Sequence, residues 1–487
     1  MAILEGVNKQ YINGQWTEGS SETNIEDKNP FNQEKLLSIK GASQEDVDKA
    51  YKTAEKAAES WGKELPQKRA EIVNNFHDAI VDNKEELIEW LIKEAGSSRV
   101  KAEAEIQISL GIIKEAASFP SRMHGYITNS RVPHKENRVY RRPLGVMGII
   151  SPWNFPLNLS IRSVVTAIAL GNTVVLKPAS QTPITGALAI AKLFEIAGLP
   201  KGVCNAVVGK GSDIGDYFVE HEIPKLISFT GSTPVGRNIG KLAGQKLKRM
   251  ALELGGNNVF VAMEDADVDQ AVKAALYGKF MHQGQICMSI NRIVVHESIA
   301  DEFVEKFVEG TKKLKVGNPQ DKEVTIGPLI DSKQVERINE DLQKSIDAGA
   351  KVVLEGKSDG ALMHPTVLDH VTDDMPIAAN EIFGPVAPII RFKSNDEALI
   401  IANSQDFGLS GAVHTKDVEK GLQFASKVIT GMIHINDQTV NDESNVPFGG
   451  EKGSGIGRFN GDFIIEEFTR VQWISVQHEP RDYTPFA

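Results

Sequence analysis

Cys287 is one of only two cysteines in 487 residues, and it lies in the run Gly284-Gln285-Ile286-Cys287-Met288-Ser289. A thiolate is a strong nucleophile when its pKa is lowered. Gly284 lets the backbone approach a ligand closely. The same run also suits a buried cysteine acting as a small hydrophobe, so chemistry here needs partners. Four other stretches offer them. Ser151-Pro152-Trp153-Asn154-Phe155-Pro156 holds an Asn between two prolines. Glu253-Leu254-Gly255-Gly256-Asn257-Asn258 places a carboxylate before a flexible turn. Glu381-Ile382-Phe383-Gly384-Pro385 pairs a carboxylate with an aromatic face. Pro447-Phe448-Gly449-Gly450, followed by Lys452 to Arg458, is a glycine-rich turn.

Glycine loops supply a second kind of site. The run Gly209-Lys210-Gly211-Ser212-Asp213-Ile214-Gly215 follows an apolar strand pattern, and Thr230-Gly231-Ser232-Thr233-Pro234-Val235-Gly236 follows another. Glycine lets backbone pack against a pyrophosphate, and a helix N-terminus favours the anion. Tight strand-to-helix turns need glycine in any case, but two such loops on consecutive strands point to a nucleotide. Lys177-Pro178-Ala179-Ser180 ends a third strand and sets a cation and a hydroxyl where an adenosine ribose could lie. A solvated surface lysine is the other reading of Lys177.

The elements that position these residues alternate between strand and helix from Gly145 onward. Strands are expected at 173–177, 204–208 and 226–229, with helices over 182–197, 213–220 and 235–247. A second series begins near 258–261 and continues with 271–280, 292–296, 300–314 and 335–348. This is the pattern of parallel sheets covered by helices. Upstream, 11–40 reads as an edge hairpin. Ser43 and Asp46 fit a capping box, Pro66 opens a helix that runs to Gly96, and a third helix spans about 100–117. Residues 123–143 are polar and strand-like, either a protruding arm or a surface hairpin. Cys204 falls inside a strand pattern and reads as core.

Taken together, the Cys287, Glu253, Asn154, Glu381 and Pro447 stretches resemble the aldehyde dehydrogenase superfamily, and the resemblance covers essentially the whole chain. Glu253 and Cys287 are 34 residues apart, which is the family's spacing. The resemblance implies an α/β fold with a Rossmann-like cofactor domain (1–122 and 144–253, with 448–469 returning to it), an α/β catalytic domain (254–447), and a small β oligomerisation arm and tail (123–143 and 470–487). It implies oxidation of an aldehyde to a carboxylic acid. Cys287 attacks the carbonyl, the Asn154 amide and the Cys287 backbone N–H hold the oxyanion, and Glu253 activates water to release the thioester. Glu381 and Phe383 would hold the nicotinamide half of the cofactor. Ile150, Ser151, Pro152, Trp153, Lys177, Ser180, Gly211, Gly215, Phe229, Gly231, Ser232, Val235, Gly236 and Leu254 would line the rest. No cluster of His or Cys has metal spacing, and none is expected to hold a metal.

Two departures stand out. Ser180 replaces a Glu that many family members use on the adenosine ribose. Without that carboxylate a 2′-phosphate is not repelled, so NADP and NAD are both expected. Phe459 stands where some members carry Glu in a proposed proton relay. The substrate class comes from His434 to Glu443, from Asn158 to Arg162 and from the ending Arg481 to Phe486, which look like the benzaldehyde and vanillin branch. Phe155, Met281, Ile286, Met288 and Val440 are the expected walls of the substrate pocket. Arg162 either reaches a ring substituent or forms a helix-packing salt bridge. An aliphatic or semialdehyde dehydrogenase and a non-catalytic binding protein are the alternatives.

Composition bounds the partners. Apolar content is 41% and charged content 24%, ordinary for a globular chain. A net charge of −11 argues against nucleic acid or an anionic membrane as the main partner. No basic region followed by an apolar core opens the sequence, and two cysteines cannot build a disulfide framework. A cytoplasmic homodimer or homotetramer is expected.

Overall fold

The computed structural model describes residues 2–484. Pro485 and Phe486, which close the aromatic-branch ending, lie outside the described residues, as does the end of the expected 470–487 tail. The chain is α/β; its two largest sheets are built largely from parallel strands, a three-stranded one is antiparallel, and three small pairs of strands complete it among the described residues.

The first sheet runs in the order Gln15–Thr17, Gln10–Ile12, Cys204–Ala206, Thr173–Lys177, Val146–Ile150, Leu226–Thr230, Arg249–Glu253 and Gly455–Ile456. Its five central strands are parallel. Thr173–Lys177 and Leu226–Thr230 are buried along their whole length, as expected of strands covered on both faces. From Val146–Ile150 the chain builds outward on one side, then crosses to the other with Leu226–Thr230. That reversal opens a crevice past the carboxyl ends of these two strands, where ligands bind in open α/β sheets. The segments leaving them are Ser151–Asn154 and Gly231–Ser232.

The second sheet has the order Lys351–Leu354, Thr366–Asp369, Val386–Phe392, Ile290–His296, Asn258–Ala262, Gly411–His414 and His434–Ile435, with an antiparallel edge at Lys351–Leu354. Asn258–Ala262 starts just beyond the turn that follows Glu253, so that turn links the two sheets. The third sheet pairs Tyr126–Asn129 with Lys135–Pro143, and Lys135–Pro143 with Thr469–Gln477 from Lys135↔Gln477 to Pro143↔Thr469. Residues 123–143 are therefore an arm zipped to the C-terminal strand. Ile127, Val471 and Trp473 on it are exposed.

Several expected boundaries shift. The helix expected from Pro66 to Gly96 breaks at Asn83, whose ψ of 17° leaves the helical region, giving Pro66–Asp82 and Lys84–Ala95. The next helix is longer than expected, Arg99–Arg122, and keeps Pro120 in its last turn. The helix expected over 182–197 opens with a π-helical turn, Ile184–Leu188, before Ala189–Ile196. The capping box of Ser43 and Asp46 is formed, and Cys204 is buried in its strand. Among the described residues no helix is long and apolar enough to cross a membrane.

Candidate active site

Cys287 follows a backbone reversal. His282, Gln283 and Gly284 take φ of 49°, 58° and 77°, three successive residues in the left-handed region. For His and Gln this conformation is strained, and surrounding bonds must hold it. Gln283 Nε2 donates to the Pro328 carbonyl at 2.9 Å, and the Ile330 N–H donates to Gln285 Oε1 at 3.0 Å. Beyond the thiol, Asn258 Nδ2 donates to the carbonyls of Cys287 (2.7 Å) and Ser289 (2.8 Å), and Thr439 Oγ1 to that of Met288 at 2.5 Å. The segment carrying the sulfur is thus fixed from both sides.

The turn after Glu253 packs directly on this segment. A Cβ on Gly256 would come within 2.2 Å of the Cys287 carbonyl oxygen, and one on Gly255 within 2.7 Å of Glu381 Oε2. Only glycines allow so close an approach of the three pieces. The Gly256 N–H donates to Glu381 Oε1 at 2.9 Å. Arg337 donates to the carbonyls of Glu381 (3.1 Å) and Ile382 (2.6 Å) and steadies the same loop. Phe383 sits at φ 53° and meets Trp153 edge to face, ring centroids 5.5 Å apart.

Asn154 is buried, and its Nδ2 donates to the Gln285 carbonyl at 2.9 Å. Glu253 ends its strand opposite Thr230 and Gly455, and both its carboxylate oxygens are buried without a hydrogen-bond partner among the described residues. Burial pushes its pKa up to about 8, against the pull of the Arg162 and Arg458 cations. The half-buried Cys287 thiol is pushed up to about 12, by burial first and then by the carboxylates of Glu253 and Glu381. Arg162 is buried in the salt bridge reading of its role. Its Nη1 lies 3.4 Å from Asp442 Oδ2, and its guanidinium covers the rings of Phe448 (4.2 Å) and Phe459 (4.9 Å).

One cavity of about 410 Å³ unites many of the expected residues. Pro152, Trp153 and Asn154 form one wall, Gly231, Ser232 and Leu254 another, and Glu381 and Phe383 a third, with Cys287 among them. It opens at the sheet crevice. The helix Thr233–Gln245 begins there, and its N-cap Ser232 makes no side-chain cap bond; Pro234 has no N–H and the Gly236 N–H bonds the Ser232 carbonyl, so the amides of Thr233 and Val235 are the ones left for a ligand. Leu159, Thr230, Pro234, Gly255, Gln334 and Arg337 also line the cavity. Gln334 and Arg337 had no signal beyond a polar helix face.

Other expected residues lie outside this cavity. Ile150 and Phe229 sit in the strands beneath it. Ser151 is buried and accepts from Ser160 Oγ at 2.6 Å. Gly236 packs on Leu254, while Val235 is exposed. Gly211 and Gly215 bound a π-helical turn. Lys177 is neither a solvated lysine nor a free cation: its Nζ is buried and donates to the Pro178 carbonyl at 3.2 Å, and burial brings its pKa down to about 8. Ser180 lines a second cavity, of about 380 Å³, with Lys28, Gln181 and Lys210 among its walls. Phe155, Ile286 and Met288 are buried in one apolar cluster, against which Met281, Cys287 and Val440 pack half-buried.

A half-buried nucleophile, a buried carboxylate without partners among the described residues, an amide donor and a crevice with a helix N-terminus suit acyl chemistry on a thiol beside a dinucleotide. Residues 16–474 match the model of the aldehyde dehydrogenase family. The chain is 51% identical over 471 residues to a vanillin dehydrogenase of Corynebacterium glutamicum, with 96% of this chain and 97% of that protein covered. It is 50% identical over 483 residues to a benzaldehyde dehydrogenase of Bacillus subtilis, with 99% and 100% covered. The crystal structure of an NAD-dependent benzaldehyde dehydrogenase from Corynebacterium glutamicum superposes with a TM-score of 0.89 at 48% identity, covering 96% of this chain and 98% of that one.

Proposed function

The chain belongs to the aldehyde dehydrogenase family, and we propose that it oxidises aromatic aldehydes of the benzaldehyde and vanillin type to carboxylic acids, using NAD or NADP. The observation that carries this reading is the convergence of Cys287, Asn154, Glu381 and the helix N-terminus at Ser232 on one cavity. The residues present fit a dinucleotide. The Thr233 and Val235 amides at the start of Thr233–Gln245 suit its pyrophosphate. The Glu381 carboxylate, already steadied by the Gly256 N–H, suits ribose hydroxyls. When bound, that group supplies the hydride acceptor.

The chain's own residues do the rest. The Cys287 sulfur attacks the carbonyl carbon as the thiolate, its proton having passed to solvent. The oxyanion takes hydrogen bonds from the Asn154 amide and the Cys287 backbone N–H, donors that are in place before reaction. Once the carbon is oxidised, Cys287 carries a thioester, and Glu253 takes the proton of the water that hydrolyses it. Phe155, Ile286, Met288, Met281 and Val440 give the acyl group apolar, polarizable surroundings, which favours an aromatic ring over a short chain. The exposed apolar face of the arm suits burial against another copy in a homodimer or homotetramer, and we place the protein in the cytoplasm.

The test is the appearance of reduced nicotinamide with a panel of aldehydes. Benzaldehyde is expected to exceed acetaldehyde in kcat/KM by roughly tenfold to a hundredfold, the worth of burying a ring. Cys287→Ala is expected to abolish oxidation and to leave nucleotide binding intact. Acetaldehyde turning over better than benzaldehyde would refute the substrate class.

A further inference from the structure

Lys101 and Glu105 form an ion pair across one helical turn, Nζ to Oε2 2.6 Å, and both side chains are fully buried. Such pairs contribute little to stability, because desolvation offsets the attraction. Their other hydrogen bonds show what they hold. Lys101 Nζ donates to the Asn154 carbonyl at 2.7 Å and to Ser97 Oγ at 3.0 Å, so the three protons of the ammonium are all placed. Glu105 Oε1 accepts from the Leu157 N–H (3.0 Å) and the Asn158 N–H (3.1 Å). These amides belong to the first turn of Pro156–Ala169, a helix without a side-chain cap of its own. The pair therefore grips the segment Asn154–Asn158 by a carbonyl at one end and by amides at the other. Lys101 Nζ also lies 4.2 Å from the centroid of the Phe155 ring, within cation–π range.

Two side chains of that segment belong to the site: Asn154 lines the cavity with Cys287, and Phe155 is buried in the apolar cluster against which Cys287 packs. We propose that the buried Lys101–Glu105 pair is a positioning device, which sets the Asn154 amide at the oxyanion and the Phe155 ring at the acyl pocket. The inference rests on the aldehyde-oxidation reading given above. Asn154 is then fixed twice: its side chain through the Gln285 carbonyl, and its backbone through Lys101. Neither Lys101 nor Glu105 touches the cavity, so neither reacts.

A pair that merely staples two helices would leave the rate unchanged once folding is preserved. Lys101→Met/Glu105→Gln removes both charges together and keeps an oxygen for the Leu157 and Asn158 amides, which avoids a lone buried charge. Lys101→Met alone is the companion. Thermal unfolding, nucleotide binding followed by tryptophan fluorescence, and the rate of the first turnover with benzaldehyde are measured on each. The double variant is expected to fold and to bind NAD within about twofold of wild type. Its first-turnover rate is expected to fall roughly tenfold to a hundredfold, the usual cost of a misplaced catalytic group, with the loss in kcat and not in KM for NAD. A folded double variant that matches an active wild type within twofold overturns the inference alone. A wild type inactive on every aldehyde overturns the proposed function and this inference with it. Failure of both variants to fold also overturns it, since the pair would then serve folding and not positioning.

Discussion

The side-chain amide of Asn154 donates one hydrogen to the carbonyl oxygen of Gln285 at 2.9 Å. An amide nitrogen has a second hydrogen, which stays available to a ligand in the cavity that Asn154 and Cys287 share. Asn154→Ala is therefore expected to lower kcat by roughly 10²- to 10³-fold, as loss of one oxyanion donor does. Nucleotide affinity, measured by fluorescence titration, should hold. A loss under tenfold would mean that the oxyanion is held elsewhere.

Among the described residues Glu253 has no hydrogen-bond partner for either oxygen. Its role as base for water predicts a specific kinetic defect. Glu253→Gln should still form the thioester on Cys287, visible as a burst of reduced cofactor in the first turnover, and then hydrolyse it slowly. Rapid mixing with benzaldehyde separates the two phases. Loss of the burst together with normal thioester hydrolysis would remove Glu253 from this role.

The same carboxyl makes stability depend on pH. Its pKa is about 8 in the folded chain against an ordinary 4.5. Between those values the folded state holds a proton that the unfolded state has lost, so this group's contribution falls as pH rises. The contribution is fully present below about 4.5 and gone above about 8. Glu253→Gln cannot ionise, so its Tm relative to wild type should climb from pH 5 to pH 9. A few degrees are expected, at roughly 1 °C per kcal/mol for a chain this long. A Tm difference that is flat with pH would show that Glu253 titrates normally.

The sequence made the central strands and the chemistry-bearing runs legible, because both depend on local pattern. Thr173–Leu176 reads as four apolar or small residues ahead of Lys177, and the whole strand is buried, while the Cys287 and Glu253 runs announce themselves by glycine. Asn83 was not legible as a break, since helical spacing of Phe76, Ile80, Leu87 and Leu91 continues across it. Arg337 was hidden for a related reason. It acts through the backbone carbonyls of Glu381 and Ile382, a contact set by packing between segments distant in sequence. The burial of Lys177 was not legible, because a strand-end lysine gives no sign of whether its amine reaches water. Here it is buried against the Pro178 carbonyl.

That burial changes which cations a 2′-phosphate could meet. Ser180 lines its cavity with Lys28 and Lys210, beside the carboxylates of Asp331 and of Glu26, the latter paired with Lys35. Lys177 is not among those walls. A 2′-phosphate carries about two negative charges and is held by charge-assisted bonds to lysine, while a bare ribose hydroxyl needs neither cation. Use of both NAD and NADP is expected on this arrangement. Ser180→Glu places a carboxylate beside the phosphate and should shift the kcat/KM ratio toward NAD by roughly tenfold, given about 1–2 kcal/mol for like charges near a partly solvated surface. Lys210→Ala should weaken NADP by about threefold to tenfold and leave NAD nearly unchanged, because an exposed lysine–phosphate contact is worth about 1 kcal/mol after screening. Steady-state kinetics with both cofactors on the three proteins decide it. Ratios that do not move in either variant would place the 2′-position away from Ser180.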